Sequence, residues 1–129
     1  MDDLVRLART MMIHAYAPYS KFHVGAAVRD EEGGIHGGCN VENAAYPQGL
    51  CAEAAAIAAL VAAGKRRVLE CAVIGPGPEL ITPCGGCRQR LREFAAEDMK
   101  IHLCGPDGLH RTVTLGSLLP MSFGPQHVA

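Results

Sequence analysis

Three cysteines and one glutamate stand where two helices should begin. Cys51 opens the run "CAEAAAIAALVAAG" with Glu53 two residues later, and Cys84 and Cys87 flank two glycines in "PCGGC". A C-x-x-C pair alone fits a redox dithiol, half of a structural zinc site or part of a catalytic one. A third thiol alters the count, because a catalytic zinc takes three protein ligands and leaves a fourth position for water, whereas a structural site is closed by four. Cys51, Cys84 and Cys87 make three, so the expected cofactor is one Zn²⁺ per chain.

Side chains two residues apart on a helix point in different directions. Cys51 and Glu53 therefore share a site only if the metal lies over the N-terminal end of the helix. That placement has an electrostatic use, since three thiolates on Zn²⁺ carry a net charge of −1 and two helix N-termini offer partial positive charge and free N–H donors. Gly85 and Gly86 would clear the approach of those donors. Glu53, beside the metal and not bound to it, is placed for general acid/base work. The plainer alternatives are buried or redox thiols for the three cysteines, and a dipole-stabilising surface carboxylate for Glu53. The segment around Glu53 is too apolar for a surface. Cys39, Cys71 and Cys104 fall in strand-like runs and read as small core residues.

The elements that must hold these residues follow from periodicity. Leu4, Leu7, Ala8, Met11, Met12 and Ala15 have helical spacing from Asp2 to Ala15, with Asp2 or Asp3 as N-cap and Pro18 as stop. "KFHVGAAVRD" alternates as a strand, "EEGG" turns, and "IHGGCNVEN" returns as a weaker strand, giving a hairpin. The Ala-rich run from Cys51 is a strong helix former ended by Gly64, and it should be buried. "VLECAVIG" is a strand covered on both faces. "CGGCRQRLREFAAEDM" predicts a third helix with Leu91, Phe94 and Ala95 on one face; "KIHLCG" and "HRTVTL" follow as strands, then "GSLLP" as a short helical turn. The order α β β α β α β β implies an α/β fold with a mixed sheet between helices, in one domain over residues 1–129.

Composition removes several classes of function. The net charge is −1, with no basic surface signature for a nucleic-acid strand. The cluster "KRR" at Lys65 to Arg67 follows a helix-ending glycine and reads as a solvated C-cap. Neither a basic start with an apolar signal core nor a membrane-length apolar run is present, so a cytoplasmic protein with no membrane partner is expected. Six cysteines in that compartment point to thiols or metal. The six histidines lack metal-ligand spacing, and the glycine-rich pieces lack the Lys and Ser/Thr of a phosphate loop. Aromatics make up only 5% of a chain that is 49% hydrophobic, so helices apolar all round suggest burial against further subunits.

Taken together, "YAPYSKFHVGAAV", "GCNVENAAY", "CAE", "PCGGCRQRLREF" and "SLLPMSF", in that order, resemble the small cytidine deaminases among the zinc-dependent nucleoside deaminases, whose signature is [H/C]-x-E with P-C-x-x-C. The resemblance spans nearly the whole chain. It implies a three-layer α-β-α sandwich with a mixed five-stranded sheet, usually a homotetramer. The implied reaction is hydrolytic deamination of free cytidine and 2′-deoxycytidine to uridine and 2′-deoxyuridine plus ammonia, as in pyrimidine salvage. Cys51, Cys84 and Cys87 would hold zinc and Glu53 would shuttle protons. Phe22 would pack on the pyrimidine, Ala52 would offer backbone to the base, and Asn40 and Glu42 would bond the ribose 3′-hydroxyl. Phe123 would reach into a neighbouring subunit's site. On residue type alone, Asn40 and Glu42 also fit turn chemistry, and Phe22 and Phe123 also fit a core. Many relatives carry Arg directly after "CAE", tempering the thiolate charge; this chain has Ala54, so compensation falls to Arg88, next to Cys87, or to the helix ends alone, and Arg88 is the expected substitute. The loop "PQGL" at Pro47 to Leu50 also departs from the commonest form. Alternatives are a deaminase of a cytosine-containing antibiotic such as blasticidin S, a structural zinc module with a fourth closing ligand, and a thioredoxin-like dithiol protein.

Overall fold

The computed structural model describes residues 1–128. Helix α1 (Asp2–His14) leads into a hairpin of β1 (Gly25–Asp30) and β2 (Ile35–Cys39); α2 (Ala52–Ala62), β3 (Val68–Ile74), α3 (Gly85–Phe94), β4 (Lys100–Gly105), β5 (Gly108–Thr114) and a short α4 (Leu115–Leu118) follow. The strands form one mixed sheet in the order β2-β1-β3-β4-β5, in which only β3 and β4 run parallel, with α3 in the crossover between them. The α/β class and five-stranded sheet expected from the sequence are present.

Two apolar layers flank the sheet, and strand alternation decides which residue serves which. Ala26, Val28, Cys71, Val73, Ile101 and Leu103 pack with Ala56, Leu60 and Leu91 of α2 and α3, whereas Ala27, Ala72, Ile74 and Cys104 pack with Leu4 and Ala8 of α1. β1 is thus an interior strand buried on both sides, where an alternating pattern predicts a half-buried strand. Its small residues allow this. At Gly25 an added Cβ would lie 2.0 Å from the Ala8 carbonyl oxygen, so α1 can sit against the start of β1 only above a glycine.

Three local expectations need correction. Met1, not Asp2 or Asp3, occupies the N-cap of α1, because the Asp3 carboxylate bonds the Leu4 N–H and is engaged by Arg29. α3 stops at Phe94 instead of running to Met99, with Ala95 extended. There the carbonyls of Glu97 and Met99 accept from the Gly116 and Leu115 N–H groups, holding the segment against α4 instead of in helix. α2 is buried along the face bearing Ala52, Glu53, Ala56, Ile57 and Leu60, but Ala58 and Ala62 are exposed. Arg66 of the basic cluster donates to the Val61 carbonyl at the end of α2 at 3.1 Å, the role expected of a C-cap cation. No helix among the described residues is long and apolar enough to cross a membrane.

Candidate active site

Cys51 and Cys84 occupy equivalent places, each the extended N-cap residue of its helix. Their Sγ atoms lie 3.9 Å apart, and with Cys87 Sγ the three sulfurs fall within 4.8 Å of one another. A tetrahedral zinc with Zn–S bonds of about 2.3 Å needs sulfur separations of about 3.8 Å. The soft donors and their spacing therefore fit zinc, and among the described residues the cluster contains three ligating side chains and no fourth. All six cysteines are free; Cys39, Cys71 and Cys104 lie on β2, β3 and β4, outside this cluster.

The thiols differ in their surroundings. Burial pushes the Cys87 and Cys51 thiols up. Burial acts upward on Cys84 too, but the Cys87 backbone N–H and the neighbouring thiols outweigh it and bring Cys84 below the ordinary thiol value. The free donors of the α3 N-terminus thus do favour a thiolate. Neither glycine is needed to clear an approach to the sulfurs. An added Cβ at Gly85 would meet nothing within 4 Å, and one at Gly86 would meet only Arg90 Nη1, at 3.3 Å.

Glu53, in the first turn of α2, is 5% exposed and belongs to the buried part of that helix with Ala52, Ala56, Ile57 and Leu60. Burial raises its carboxyl above the usual carboxylate range, against the opposing pull of its own backbone N–H and of the Arg90 charge. It lines a cleft of about 460 Å³ together with Cys51, Cys84, Ala52, Phe22, Asn40 and Glu42. Glu53 and two of the sulfurs thus open onto the same space, as a metal over the end of the helix requires.

The opposite wall of the cleft is made of residues that tie the chain before β1 to the chain after β2. Asn40 accepts from the Val24 N–H at 2.9 Å and donates to the Phe22 carbonyl at 2.8 Å, which leaves one N–H and one lone pair free. Glu42 accepts from the N–H groups of Tyr19 and Ser20 and from the Ser20 hydroxyl. The Ser20 hydrogen bond leads the interactions that keep its carboxyl below the ordinary range. Both residues make turn-like backbone bonds and face the cleft at once. Val24, Val41, Tyr46, Gly49, Leu50, Ile81 and Thr82 complete the lining, and none of them is individually given a site role by the sequence. Of these only Thr82, just before "PC", carried a positional hint.

Two further residues named from the sequence, Phe123, expected at a neighbour's site, and Arg88, expected at the sulfurs, do not line this chain's cleft. Phe123 is outside the cleft, 60% exposed and stacked on His127 at 5.0 Å. Arg88 turns from the sulfurs: its guanidinium donates to the carbonyls of Pro83 and Leu118 and to the Thr82 hydroxyl. The reason is helical geometry, since the residue after Cys87 points about 100° away while the residue three on returns to its side. That residue is Arg90, whose Nη1 lies 3.6 Å from Cys87 Sγ.

Residues 1–103, which include every cleft residue, match the cytidine and deoxycytidylate deaminase zinc-binding region. The chain belongs to the cytidine deaminase family. A cytidine deaminase of Sporosarcina psychrophila is 36% identical over 129 residues, spanning 100% of this chain and 95% of the relative. One from Mycobacterium tuberculosis is 43% identical over 110 residues, 85% of this chain and 79% of the relative. The crystal structure of cytidine deaminase from Burkholderia pseudomallei superposes with a TM-score of 0.89 at 40% identity, covering 95% of this chain and 98% of that one. This cytidine deaminase-family chain is accordingly a hydrolase, with its zinc-binding region at Cys51, Cys84 and Cys87.

Proposed function

We propose that this family member deaminates the free nucleosides cytidine and 2′-deoxycytidine, releasing ammonia and leaving uridine or 2′-deoxyuridine. The observation that carries the reading is the shared cleft: a buried carboxylate and a three-cysteine cluster on one side, and a polar wall with an aromatic ring on the other. Zinc, when held by the three sulfurs, supplies Lewis acidity that makes water a nucleophile near neutral pH. Glu53 would take the two protons of the attacking water in turn, passing the first to ring N3 and the second to the departing 4-amino nitrogen, so that the C4–O bond forms, the C4–N bond breaks and ammonia leaves. Its burial keeps bulk water from competing for those protons.

Phe22 packs on the pyrimidine, and the backbone at Ala52 meets the base. The free N–H of Asn40 and the remaining acceptor capacity of Glu42 bind the ribose 3′-hydroxyl. Glu42 is already fixed by three donors from Tyr19 and Ser20, so little freedom is lost when a hydroxyl docks. The exposed Phe123, Met121 and Tyr46 support a homotetramer in which Phe123 enters a neighbour's cleft. Free thiols and the near-neutral charge are in keeping with a cytoplasmic enzyme of pyrimidine salvage.

A substrate panel tests this reading: cytidine, 2′-deoxycytidine, deoxycytidylate, a cytosine within single-stranded DNA and blasticidin S, followed by absorbance and ammonia release. Turnover confined to the two nucleosides supports it. Preference for the antibiotic, the nucleotide or the strand would replace the substrate assignment, and a zinc-loaded protein inert to all five would favour a structural metal module. Light scattering at micromolar concentration that gives a monomeric mass would remove the tetramer and with it the role of Phe123.

A further inference from the structure

A cluster of three thiolates on a divalent ion carries a net charge of −1, which the partial charges of the two helix N-termini offset and a nearby cation would offset further. Helix α2 brings none, since Ala54 is three residues on from Cys51, the position that would return to its side of the helix. Arg88 is committed to three oxygens. We propose that Arg90 is the cation that tempers the thiolate charge and slows the loss of zinc, through its Nη1 contact with Cys87 Sγ at 3.6 Å. It is a positioning residue, acting on the metal through its ligand.

Three observations support this assignment. Among the described residues, Arg90 is the arginine or lysine whose side chain bonds one of the three sulfurs. The Gly86 side of its guanidinium is open because Gly86 has no Cβ; one placed there would crowd Nη1 at 3.3 Å. Cys87 is fully buried while Arg90 is exposed, so the guanidinium caps the inner sulfur from the solvent side and keeps most of its own hydration. A planar guanidinium, more weakly hydrated than an ammonium, suits that position better than lysine would.

The inference rests on zinc being held by the three cysteines, and the test separates the two. Zinc-loaded wild type, Arg90→Met, Arg90→Lys and a remote control, Arg111→Met, are mixed with a chromophoric chelator and zinc release is followed, alongside thermal melting of each metal-free protein. Arg90→Met should release zinc about 10- to 100-fold faster than wild type, the range typical for removing a group that supports a metal ligand. Arg90→Lys should fall between the two, Arg111→Met should match wild type, and metal-free melting should be unchanged because Arg90 is exposed. Equal release from wild type and Arg90→Met would overturn the assignment. So would a fall in metal-free melting that accounts for the faster release. A wild type that takes up no zinc, or that keeps it when Cys84 is replaced, would instead bring down the metal site itself.

Discussion

The two helices that carry the cysteines are built in opposite ways. Helix α2 is almost entirely apolar and presses Ala52, Glu53, Ala56 and Leu60 into the core beside the sheet. Helix α3 buries only Cys87 and Leu91. Its arginines hold the surrounding loops instead: Arg88 bonds Pro83, Thr82 and Leu118, and Arg92 bonds Ser122, Ala95 and Gln126. Each helix offers a cysteine at its N-cap, so each aims free N–H groups at the cluster. The difference teaches where each kind of charge can be kept. The buried carboxylate of Glu53 stands on the dry helix, where burial raises its affinity for protons, as the proposed proton shuttle needs. A permanent cation is placed on the wet helix, where it stays hydrated.

The comparison breaks most visibly at the sulfurs. Cys84→Ser, and equally Cys51→Ser across the gap, should abolish zinc retention and with it turnover, an effect larger than the roughly 100-fold associated with lost supporting groups. Zinc content after desalting checks this; one zinc per chain in either variant would show that the two helix ends do not act as one site. Next in size is the seating of α2. At Gly38 of β2 an added Cβ would lie 2.4 Å from the Ala56 nitrogen and 2.6 Å from the Ala52 carbonyl oxygen. Gly38→Ala should therefore destabilise the fold by about 1–3 kcal/mol and displace Glu53, seen as a lowered melting temperature with lowered kcat. An unchanged melting temperature would mean that α2 is not held by this close approach.

Asn40→Ala removes two hydrogen bonds of about 1 kcal/mol each that fix the chain carrying Phe22. kcat/KM for cytidine should fall about 30-fold with zinc content intact, placing Asn40 in the substrate wall and not in the metal site. The smallest effect belongs to the other face of the sheet, where the Arg29 guanidinium holds the Asp3 carboxyl at about 2. Its folded pKa lies below the unfolded value of 3.8, so its contribution is complete above pH 3.8 and is lost as the pH falls toward 2. Asp3→Asn should show a small, constant drop in melting temperature from pH 7 to pH 5, without change in zinc release. A difference that grows as the pH falls toward 2 would reverse the sign.

The order of elements and the three-sulfur count were legible because both depend on local spacing. The wall of the cleft was legible only through resemblance, since nothing in "NVEN" alone says that Asn40 and Glu42 meet the chain around Ser20 and Phe22. Two of the misses share one cause, which is that local pattern is overruled by distant partners. Arg29 takes Asp3 away from the N-cap, and α4 takes the carbonyls of Glu97 and Met99 away from a longer α3. Adjacency in sequence favoured Arg88 at the cluster, while counting three residues along the helix finds Arg90.

The central claim is that Glu53 moves protons beside a metal it does not hold. Zinc content and cytidine turnover measured on one preparation of Glu53→Gln test it most directly. We predict one zinc per chain, as in wild type, with turnover reduced about 10²- to 10⁴-fold. A variant that keeps its zinc and still converts cytidine at the wild-type rate would contradict the account.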